Sequence, residues 1–415
     1  MKKVFKKFFT NRFIRGGIIL TIANFFGSFL NYLFNIIIAR SLGPQGFGDL
    51  TALFSYLVVL TVPMSVITTL IIQKIGSSGE KRYTVSLQLE KYINTVIMRY
   101  WYLFIFVLIP IPFVPRLTNL SSVAGYSLIP LLFLTILAGI YDAIFQGNRL
   151  FIPFALIATF TTIIKLLGAL AVMIKIDGLT TILIFIFVSL VFKYVVSKKI
   201  LIEKDRGEGE VPLLERRLLH IFSNQTVWIT TISLVALYLF NNADIMYAKK
   251  FLTGYEAGLY SSWSLFAKIT FYVGGPLISL SFIFFASKDQ QKHHKKTLLG
   301  SLCVLALSGV MILLAYTYFG NILINIFFGA KFAPVIPFLT QAGVFGLLYQ
   351  LIFFINQYHL AQKNKYALII ALIIPIYIAT LFIVRPQLTQ MLTLNISFAA
   401  LLAIFYTGSL IRELK

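Results

Sequence analysis

Charged residues are scarce in this chain of 415 residues: Asp, Glu, Lys and Arg together make up 12%, against about 25% in soluble domains. Apolar residues make up 59%, and the mean hydropathy is +0.87. This composition argues against a water-soluble enzyme, a disordered chain and a nucleic-acid reader. It predicts a polytopic membrane protein.

Acidic residues, cysteine and enzyme signatures are also scarce or absent. The 14 acids are outnumbered by 36 basic residues, which gives a net charge of +22. The single cysteine, Cys303, excludes an intrachain disulfide and a thiolate metal cluster. The sequence has no His-Glu-x-x-His, Gly-x-Ser-x-Gly or phosphate-loop motif. We therefore expect no catalytic residue, no metal or other cofactor, and no enzymatic activity.

Apolar runs of membrane-spanning length recur along the whole chain. A helical span needs about 20 mostly apolar residues, and the runs are too long and too uniform for membrane strands. Twelve runs qualify: 17–38, 50–72, 97–115, 125–145, 154–174, 178–197, 221–245, 257–285, 297–319, 335–356, 366–384 and 391–411. We therefore predict an all-α protein with twelve transmembrane helices.

Basic residues are concentrated on one side of the predicted spans. With the N-terminus in the cytoplasm, 27 of the 36 Lys and Arg residues fall in cytoplasmic segments and seven in external ones. Cytoplasmic loops of membrane proteins carry such an excess of Lys and Arg. The distribution predicts a multi-pass protein of the cytoplasmic membrane with both termini in the cytoplasm.

The sequence divides near its middle into two related halves. Gly48, which follows span 1, recurs as Gly258 after span 7, at an offset of 210 residues. We predict an N-terminal six-helix lobe over 1–200, a cytoplasmic linker over 201–219 and a C-terminal six-helix lobe over 220–415. Because each half holds an even number of spans, the lobes are expected to be related by a pseudo-two-fold axis along the membrane normal.

Polar side chains follow one face of two predicted spans at helical spacing. Span 1 carries Gly17, Thr21, Asn24, Ser28, Asn31 and Asn35, and span 8 carries Ser261, Ser264, Lys268, Tyr272, Gly275 and Ser279. Because lipid offers no hydrogen-bond partners, such faces meet protein or water. One interpretation is close helix packing through small polar residues. The other, which the asparagines favour, is a hydrated cavity behind spans 1 and 8.

Two lysines lie in the middle of predicted spans. Lys268 has no acid three or four positions away, although a lysine at the centre of a span costs about 2.5–3.5 kcal/mol. It is predicted to bind an anion in a wet cavity, or else to pair with an acid on another helix, such as Asp244, or to snorkel. The same reasoning applies to Lys165. Arg15, at the inner mouth of span 1, is either a guide for an anion or a topology charge.

Three acids lie at the ends of spans and are candidates for gating or coupling. Asp49 begins span 2, where helix capping is the simpler explanation. Asp142 lies near the cytoplasmic end of span 4. Asp244 lies near the outer end of span 7, where an ion pair with Lys249 or Lys250 in one conformational state is one way to form a gate.

Segment 39–49 resembles the signature Ala-Arg-x-Leu-Gly-Pro-x-x-Phe-Gly, which follows the first span of polysaccharide-biosynthesis flippases. Residues 242–246 together with 258–261 are similar to the second-half signature of the same family, and residues 146–149 to its loop after span 4. These flippases are the O-antigen and capsule repeat-unit exporters of the multidrug/oligosaccharidyl-lipid/polysaccharide exporter superfamily.

The resemblance implies a V-shaped transporter of two six-helix lobes that works by alternating access. Its substrate would be an undecaprenyl-pyrophosphate-linked oligosaccharide, moved from the cytoplasmic to the outer leaflet for surface polysaccharide assembly. In this interpretation the candidate residues for the anionic head group and the glycan are Lys268, Lys165, Asn24, Asn31 and Arg15. Membrane lipids, a polysaccharide polymerase and a chain-length regulator are the other expected partners, and nucleic acid is not one. The coupling ion, Na⁺ or H⁺, is left open.

Two alternatives remain at this point. A cation-coupled exporter of small drugs or metabolites on the same fold would need a membrane-embedded acid, for which Asp142 and Asp244 are the candidates. The chain lacks an acid in the middle of span 1, where some drug-exporting relatives bind a coupling cation, and also lacks a basic residue there. A membrane-embedded polymerase or ligase would need a large polar outer loop, and the predicted outer loops are short.

Overall fold

A computed structural model describes residues 12–100, 102, 108–174, 176, 178–203, 225–286 and 294–414. Within helices, the side chains of residues 12–25 and of a few other positions lie outside the description. The secondary structure of the described residues is helical, with no strand among them. This confirms the predicted all-α class.

The described part of the chain holds thirteen α-helices, some of them joined by short 3₁₀ turns. They are α1 Arg12–Ser77, α2 Arg82–Arg99, α3 Val114–Thr118, α4 Ser122–Gly147, α5 Phe151–Met173, α6 Gly178–Glu203, α7 Gln225–Phe240, α8 Ala243–Phe251, α9 Gly254–Ala286, α10 His294–Phe327, α11 Leu339–Ala361, α12 Ile369–Val384 and α13 Leu388–Leu414. The long helices coincide with apolar runs because a spanning helix satisfies its backbone internally.

The first helix contains two predicted spans in succession. α1 is 66 residues long, and Gly43 interrupts it with φ 67° and ψ −174°. A positive φ of this size favours glycine because a Cβ would collide with the backbone. The break therefore falls at the Leu-Gly-Pro sequence between spans 1 and 2. The seventh span is also divided, since α7 and α8 are bent by 41° with respect to each other.

Nine helices in the described ranges are long and apolar enough to cross a membrane, or ten if the bent pair α7–α8 is one span. Because α1 contains two predicted spans, eleven of the twelve predicted spans coincide with described helices. Span 3 stays a prediction: α2 ends at Arg99, a 3₁₀ turn covers Ile111–Phe113, and residues 101 and 103–107 lie outside the description. The orientation of the chain in a membrane also stays a prediction.

Two compact units divide the chain. Unit 1 comprises residues 1–41, 63–117 and 121–224, and unit 2 comprises residues 42–62, 118–120 and 225–415. The predicted linker lies mostly in segment 204–224, which is outside the described residues. The predicted domain boundaries therefore stay a prediction.

Unit 1 is held together by close packing of α6 against α4 and α5. A Cβ on Gly168 of α5 would lie 2.5 Å from the Cβ of Phe185 in α6, so glycine permits an unusually close approach of the two helices. At another level, Ile75, Tyr141 and Ile144 belong to a buried cluster that joins α1 to α4. These contacts fix how far α4, α5 and α6 are shifted along one another, and therefore which of their polar residues come close together.

Unit 2 has a core rich in aromatic side chains between α9 and its neighbours. The buried Trp263 donates its Nε1–H to the carbonyl of Phe338, at 2.9 Å. Tyr316 donates its hydroxyl to the carbonyl of Phe266, at 2.8 Å. Buried Trp and Tyr need such partners for their polar atoms, and here the partners come from neighbouring elements of the same unit.

Gly48 and Gly258, the pair that recurs at an offset of 210 residues, are in contact within unit 2. A Cβ on Gly48 would lie 2.9 Å from the backbone nitrogen of Gly258, and a Cβ on Gly258 would overlap the carbonyl oxygen of Pro44. Backbones approach this closely only where side chains are absent. The recurrence of glycine therefore has a packing cause.

Candidate substrate-binding and coupling sites

Lys165 and Asn31 meet in unit 1. The half-buried Lys165, in the middle of α5, donates to the Oδ1 atom of Asn31 in α1, at 2.9 Å. Asn31 in turn donates its Nδ2 to the carbonyl of Gly27, at 2.9 Å, which orients the amide oxygen towards the lysine. The Lys165 ammonium also lies 5.9 Å from the centre of the Phe34 ring. The structure thus joins two residues that the sequence singles out on different spans.

Lys165 has no acid within ion-pair distance among the residues that the structure describes. Its partners are an amide oxygen and an aromatic ring, which stabilise an ammonium without neutralising its charge. An uncompensated ammonium in an apolar helix is costly and favours an anionic partner. This is the chemistry expected of an anion-binding group.

Asp142 of α4 forms an ion pair with Lys193 of α6 in the same unit. The two charged atoms are 2.5 Å apart, and the side chains are 23% and 17% exposed. Lys193 is ten residues from the end of α6, which is about 15 Å along the helix axis. Lys193 is one of the 27 basic residues that the sequence assigns to cytoplasmic segments, and the structure adds it to the polar residues of unit 1.

Lys268 lies in unit 2, where its environment differs. This half-buried lysine of α9 donates to the Oδ1 atom of Asn242 over a long 3.4 Å. Within the described ranges no acid lies at ion-pair distance from it, but Asp244 is near enough to act on its charge. Direct pairing with Asp244, one of the sequence-based alternatives, is therefore absent, although a partial electrostatic balance is present.

Asp244 itself is buried, with 1% of its surface exposed. Its carboxylate accepts hydrogen bonds from the hydroxyl of Tyr260, from the backbone nitrogen of Ile245 at 2.9 Å and from the Nδ2 of Asn395 at 3.3 Å. Tyr377 completes the network by donating its hydroxyl to the Oδ1 of Asn395, at 2.7 Å. Asp244 is recognisable in the sequence, but its side-chain partners Tyr260 and Asn395 are not, because they lie 16 and 151 residues away along the chain.

Asp49 pairs with Lys249 in unit 2. Their charged atoms are 2.6 Å apart, and the side chains are 8% and 6% exposed. Asn119 donates its Nδ2 to the carbonyl of Lys249, at 3.1 Å. Lys249 therefore pairs with Asp49, whereas the sequence suggests it as a partner of Asp244. Asp49 lies inside α1, six residues beyond the break at Gly43, so an ion pair rather than a helix cap accounts for its position.

The remaining sequence-predicted residues fall into two groups. Arg15 and Asn24 lie in α1, but their side chains are outside the described part of the chain. In the span 8 stripe, Ser261 and Ser264 are buried, as helix packing requires, whereas Tyr272 is exposed. The single cavity predicted behind spans 1 and 8 stays a prediction.

The sequence matches no protein-family model and no curated protein, but the structure is similar to solved transporters. An inward-facing multidrug resistance MATE family transporter of the MOP superfamily aligns with a TM-score of 0.72 at 12% identity, over 95% of this chain and 98% of that one. The lipid II flippase MurJ, in an inward closed conformation, aligns with a TM-score of 0.67 at 13% identity, over 95% and 87%. A MOP superfamily transporter from Pyrococcus furiosus gives 0.63 at 11%, over 96% and 95%.

These alignments cover nearly the whole of each chain, so the protein has the fold of the MOP superfamily transporters. This confirms the predicted fold class of two six-helix lobes. At 11–13% identity the likeness carries the fold and not the substrate.

Proposed function

We propose that this protein is an alternating-access flippase. It moves a polyprenyl-pyrophosphate-linked oligosaccharide repeat unit from the cytoplasmic to the outer leaflet of the cell membrane, for surface polysaccharide assembly. The observation that carries the proposal is Lys165 in unit 1, an ammonium inside an apolar helix whose described partners, Asn31 and Phe34, are neutral.

The physical difficulty of this reaction is the head group. A diphosphate and a glycan must cross about 30 Å of hydrocarbon, and removing their charges from water without replacement partners is costly. In the proposed mechanism Lys165 receives the diphosphate, while Asn31 and Asn24 offer amide groups to the sugar hydroxyls. The polyprenyl tail stays in the lipid, so the protein has only the polar part to accommodate.

The second unit supplies the other proposed groups. Lys268 is a second cation for the head group, partly balanced by Asp244. Asp244, with its amide and hydroxyl neighbours, is the proposed coupling residue for Na⁺ or H⁺. The Asp49–Lys249 pair is the proposed gate residue pair, because a buried ion pair of 2.6 Å opens only if both charges gain other partners.

A second function is favoured by one specific observation. Asp244 is a buried acid within a spanning segment, and apart from Lys268 its neighbours are neutral hydrogen-bond donors. A cation-coupled exporter of small drugs or metabolites needs such an acid, and the solved structure with a TM-score of 0.72 is described as a multidrug resistance transporter. The two functions differ in whether a lipid-linked substrate accumulates when the protein is missing.

The test uses a strain of the source organism that lacks the protein. The flippase proposal predicts loss of surface polysaccharide, intracellular accumulation of lipid-linked repeat units and unchanged drug susceptibility. Complementation by Lys165→Ala or Lys268→Ala should fail to restore the polymer, with surface polysaccharide reduced more than about tenfold at equal protein levels in the membrane. Lys365→Ala, which removes an exposed lysine, is the matched control and should restore export.

Three results would count against the proposal. Normal polymer export from both lysine variants would remove these residues as the anion sites. Export that persists without the protein would reject the flippase function itself. Increased drug susceptibility with normal polysaccharide would favour the exporter.

A further inference from the structure

We infer that Lys193 joins Lys165 as the second cation of unit 1 for the diphosphate, in addition to Lys268 of unit 2, and that Asp142 is the internal anion that holds Lys193 until the substrate replaces it. This inference rests on the proposed function and deepens it, because it names the groups of unit 1 that recognise a diphosphate rather than a monophosphate. It assigns Lys193 a binding role and Asp142 a competing one.

The packing of α5 on α6 places both lysines in one region of unit 1. The two helices are joined by residues 174–177 and run antiparallel, and their close contact at Gly168 and Phe185 fixes their register. Lys165 lies three residues before Gly168, and Lys193 lies eight residues after Phe185. Because the helices are antiparallel, both lysines are displaced from the Gly168–Phe185 contact towards the same end of the pair. Their backbone positions therefore differ by five residues, or about 7.5 Å along the helix axes. Long lysine side chains can span that difference from opposite ends of a diphosphate.

The side chains of Lys165 and Lys193 also lie on the sides of their helices that are near the contact between α5 and α6. Residues three or four apart lie on the same face of a helix, which relates Lys165 to Gly168 and, through the buried Ser189, relates Lys193 to Phe185. Both lysines therefore project near the seam where the two helices meet.

The group formed by Lys165, Lys193 and Asp142 has an excess of positive charge, as an anion-binding site requires. Lys165 and Lys193 contribute two positive charges and Asp142 one negative charge, so the group carries a net charge of +1. A diphosphate diester carries two negative charges, which match two ammonium groups and leave no place for the carboxylate. Lys193 and Asp142 are partly exposed, at 17% and 23%, so an incoming anion can reach their ion pair.

Exchange of one anion for another avoids the main cost of opening the pair. A buried ammonium that loses its partner is strongly destabilised, but Lys193 would pass from a carboxylate to a phosphate without remaining unpaired. A bond to a second phosphate also distinguishes a diphosphate from a monophosphate, since Lys165 alone can pair with only one. A purely structural ion pair, by contrast, would only hold α4 against α6.

The two explanations predict opposite effects of removing the carboxylate. We would purify the full-length protein in nanodiscs and measure the equilibrium binding of radiolabelled farnesyl diphosphate, with farnesyl monophosphate for comparison. Asp142→Asn should bind the diphosphate about three- to tenfold more tightly, because Lys193 loses its competing anion. Lys193→Gln should weaken diphosphate binding about tenfold and change monophosphate binding little. Lys198→Gln, on the same helix and five residues further on, is the matched control and should bind like the unaltered protein.

Several outcomes would overturn the inference. One is undetectable binding of farnesyl diphosphate by the unaltered protein. Another is equal diphosphate binding by Lys193→Gln and Lys198→Gln. The third is diphosphate binding by Asp142→Asn that is no tighter than that of the unaltered protein. If Asp142→Asn does not fold, as judged by gel filtration and thermal melting, the Lys193→Gln comparison decides alone. Polysaccharide export tests the proposed function separately: a protein that exports no polymer can still show the binding pattern, and an exporter can lack it.

Discussion

In each compact unit a lysine in an apolar helix donates its ammonium to an asparagine. The bond is 2.9 Å from Lys165 to Asn31 in unit 1 and 3.4 Å from Lys268 to Asn242 in unit 2. Both asparagines donate their Nδ2 to the carbonyl four residues earlier. The offset of 210 residues maps Asn31 onto Asn241, one residue before Asn242. The amide partners are therefore not equivalent positions, and the lysines come from spans 5 and 8, which are not equivalent either.

The difference between the units lies in how their acids are used. In unit 1, Asp142 is bonded to Lys193 and leaves Lys165 without a counter-charge, so the group is positive. In unit 2, Asp244 is surrounded by neutral donors and balances Lys268, so the group is neutral. The same lysine–asparagine motif therefore carries a net positive charge that attracts an anion in unit 1, whereas in unit 2 the lysine is partly balanced and is the weaker of the two proposed anion sites.

The acids of the two units should differ most in what they contribute to stability. Asp244→Asn replaces an acceptor of three hydrogen bonds with an amide that turns donors towards Tyr260 and Asn395. We expect a loss of roughly 2–4 kcal/mol in the free energy of unfolding, since buried polar groups would be left unpaired. Asp142→Asn should lose only about 1 kcal/mol, because its amide oxygen still accepts from Lys193 and both side chains reach the solvent.

Thermal melting of the purified protein in one detergent measures this difference. Asp142→Asn is the matched control, since it makes the same chemical change in the other unit. Equal melting temperatures for the two variants would show that the hydrogen bonds of Asp244 contribute no more to stability than those of Asp142.

Much of the fold and part of the site follow from the sequence. The apolar runs predict the helices because a spanning helix must be long and apolar. Asn31 and Lys165 are each recognisable alone, since a polar side chain in an apolar run needs a partner. Their bond to each other is not predictable, because 134 residues separate them along the chain.

The pairing of acids with bases is the part that the sequence does not determine. It suggests Lys249 as a partner for Asp244 by proximity along the chain, but the structure pairs Lys249 with Asp49, 200 residues away. Lys193 lies only four residues before the predicted end of span 6 at position 197, where a lysine is indistinguishable in sequence from a topology charge. One signal was available: Lys193 is followed by Tyr-Val-Val before the next basic residues, so the helix continues past it.

The asparagines that bond the two lysines should differ in their importance for export. Asn31→Ala should reduce polysaccharide export about tenfold, because the 2.9 Å bond holds Lys165 in position and hydrogen bonds to charged groups contribute about 1.5–3 kcal/mol. Asn242→Ala removes a longer bond, of 3.4 Å, to a lysine that Asp244 also balances, and should reduce export about threefold or less. Quantitative surface polysaccharide assays at matched protein levels measure both. A stronger defect in Asn242→Ala would mean that unit 2 carries the more important cation.

Tyr377 lies at the edge of the hydrogen-bond network around Asp244, and its hydroxyl should matter least. Tyr377→Phe removes a hydroxyl that only reaches Asp244 through Asn395, so the carboxylate keeps its three donors. We expect the free energy of unfolding to fall by about 1 kcal/mol, the usual net contribution of one hydrogen bond, with export within about twofold of normal. Tyr318→Phe, which alters an exposed tyrosine of the same unit, is the control for melting. An export defect in Tyr377→Phe as large as that of Lys165→Ala would contradict this expectation, because the carboxylate of Asp244 keeps its three donors when one peripheral hydroxyl is lost.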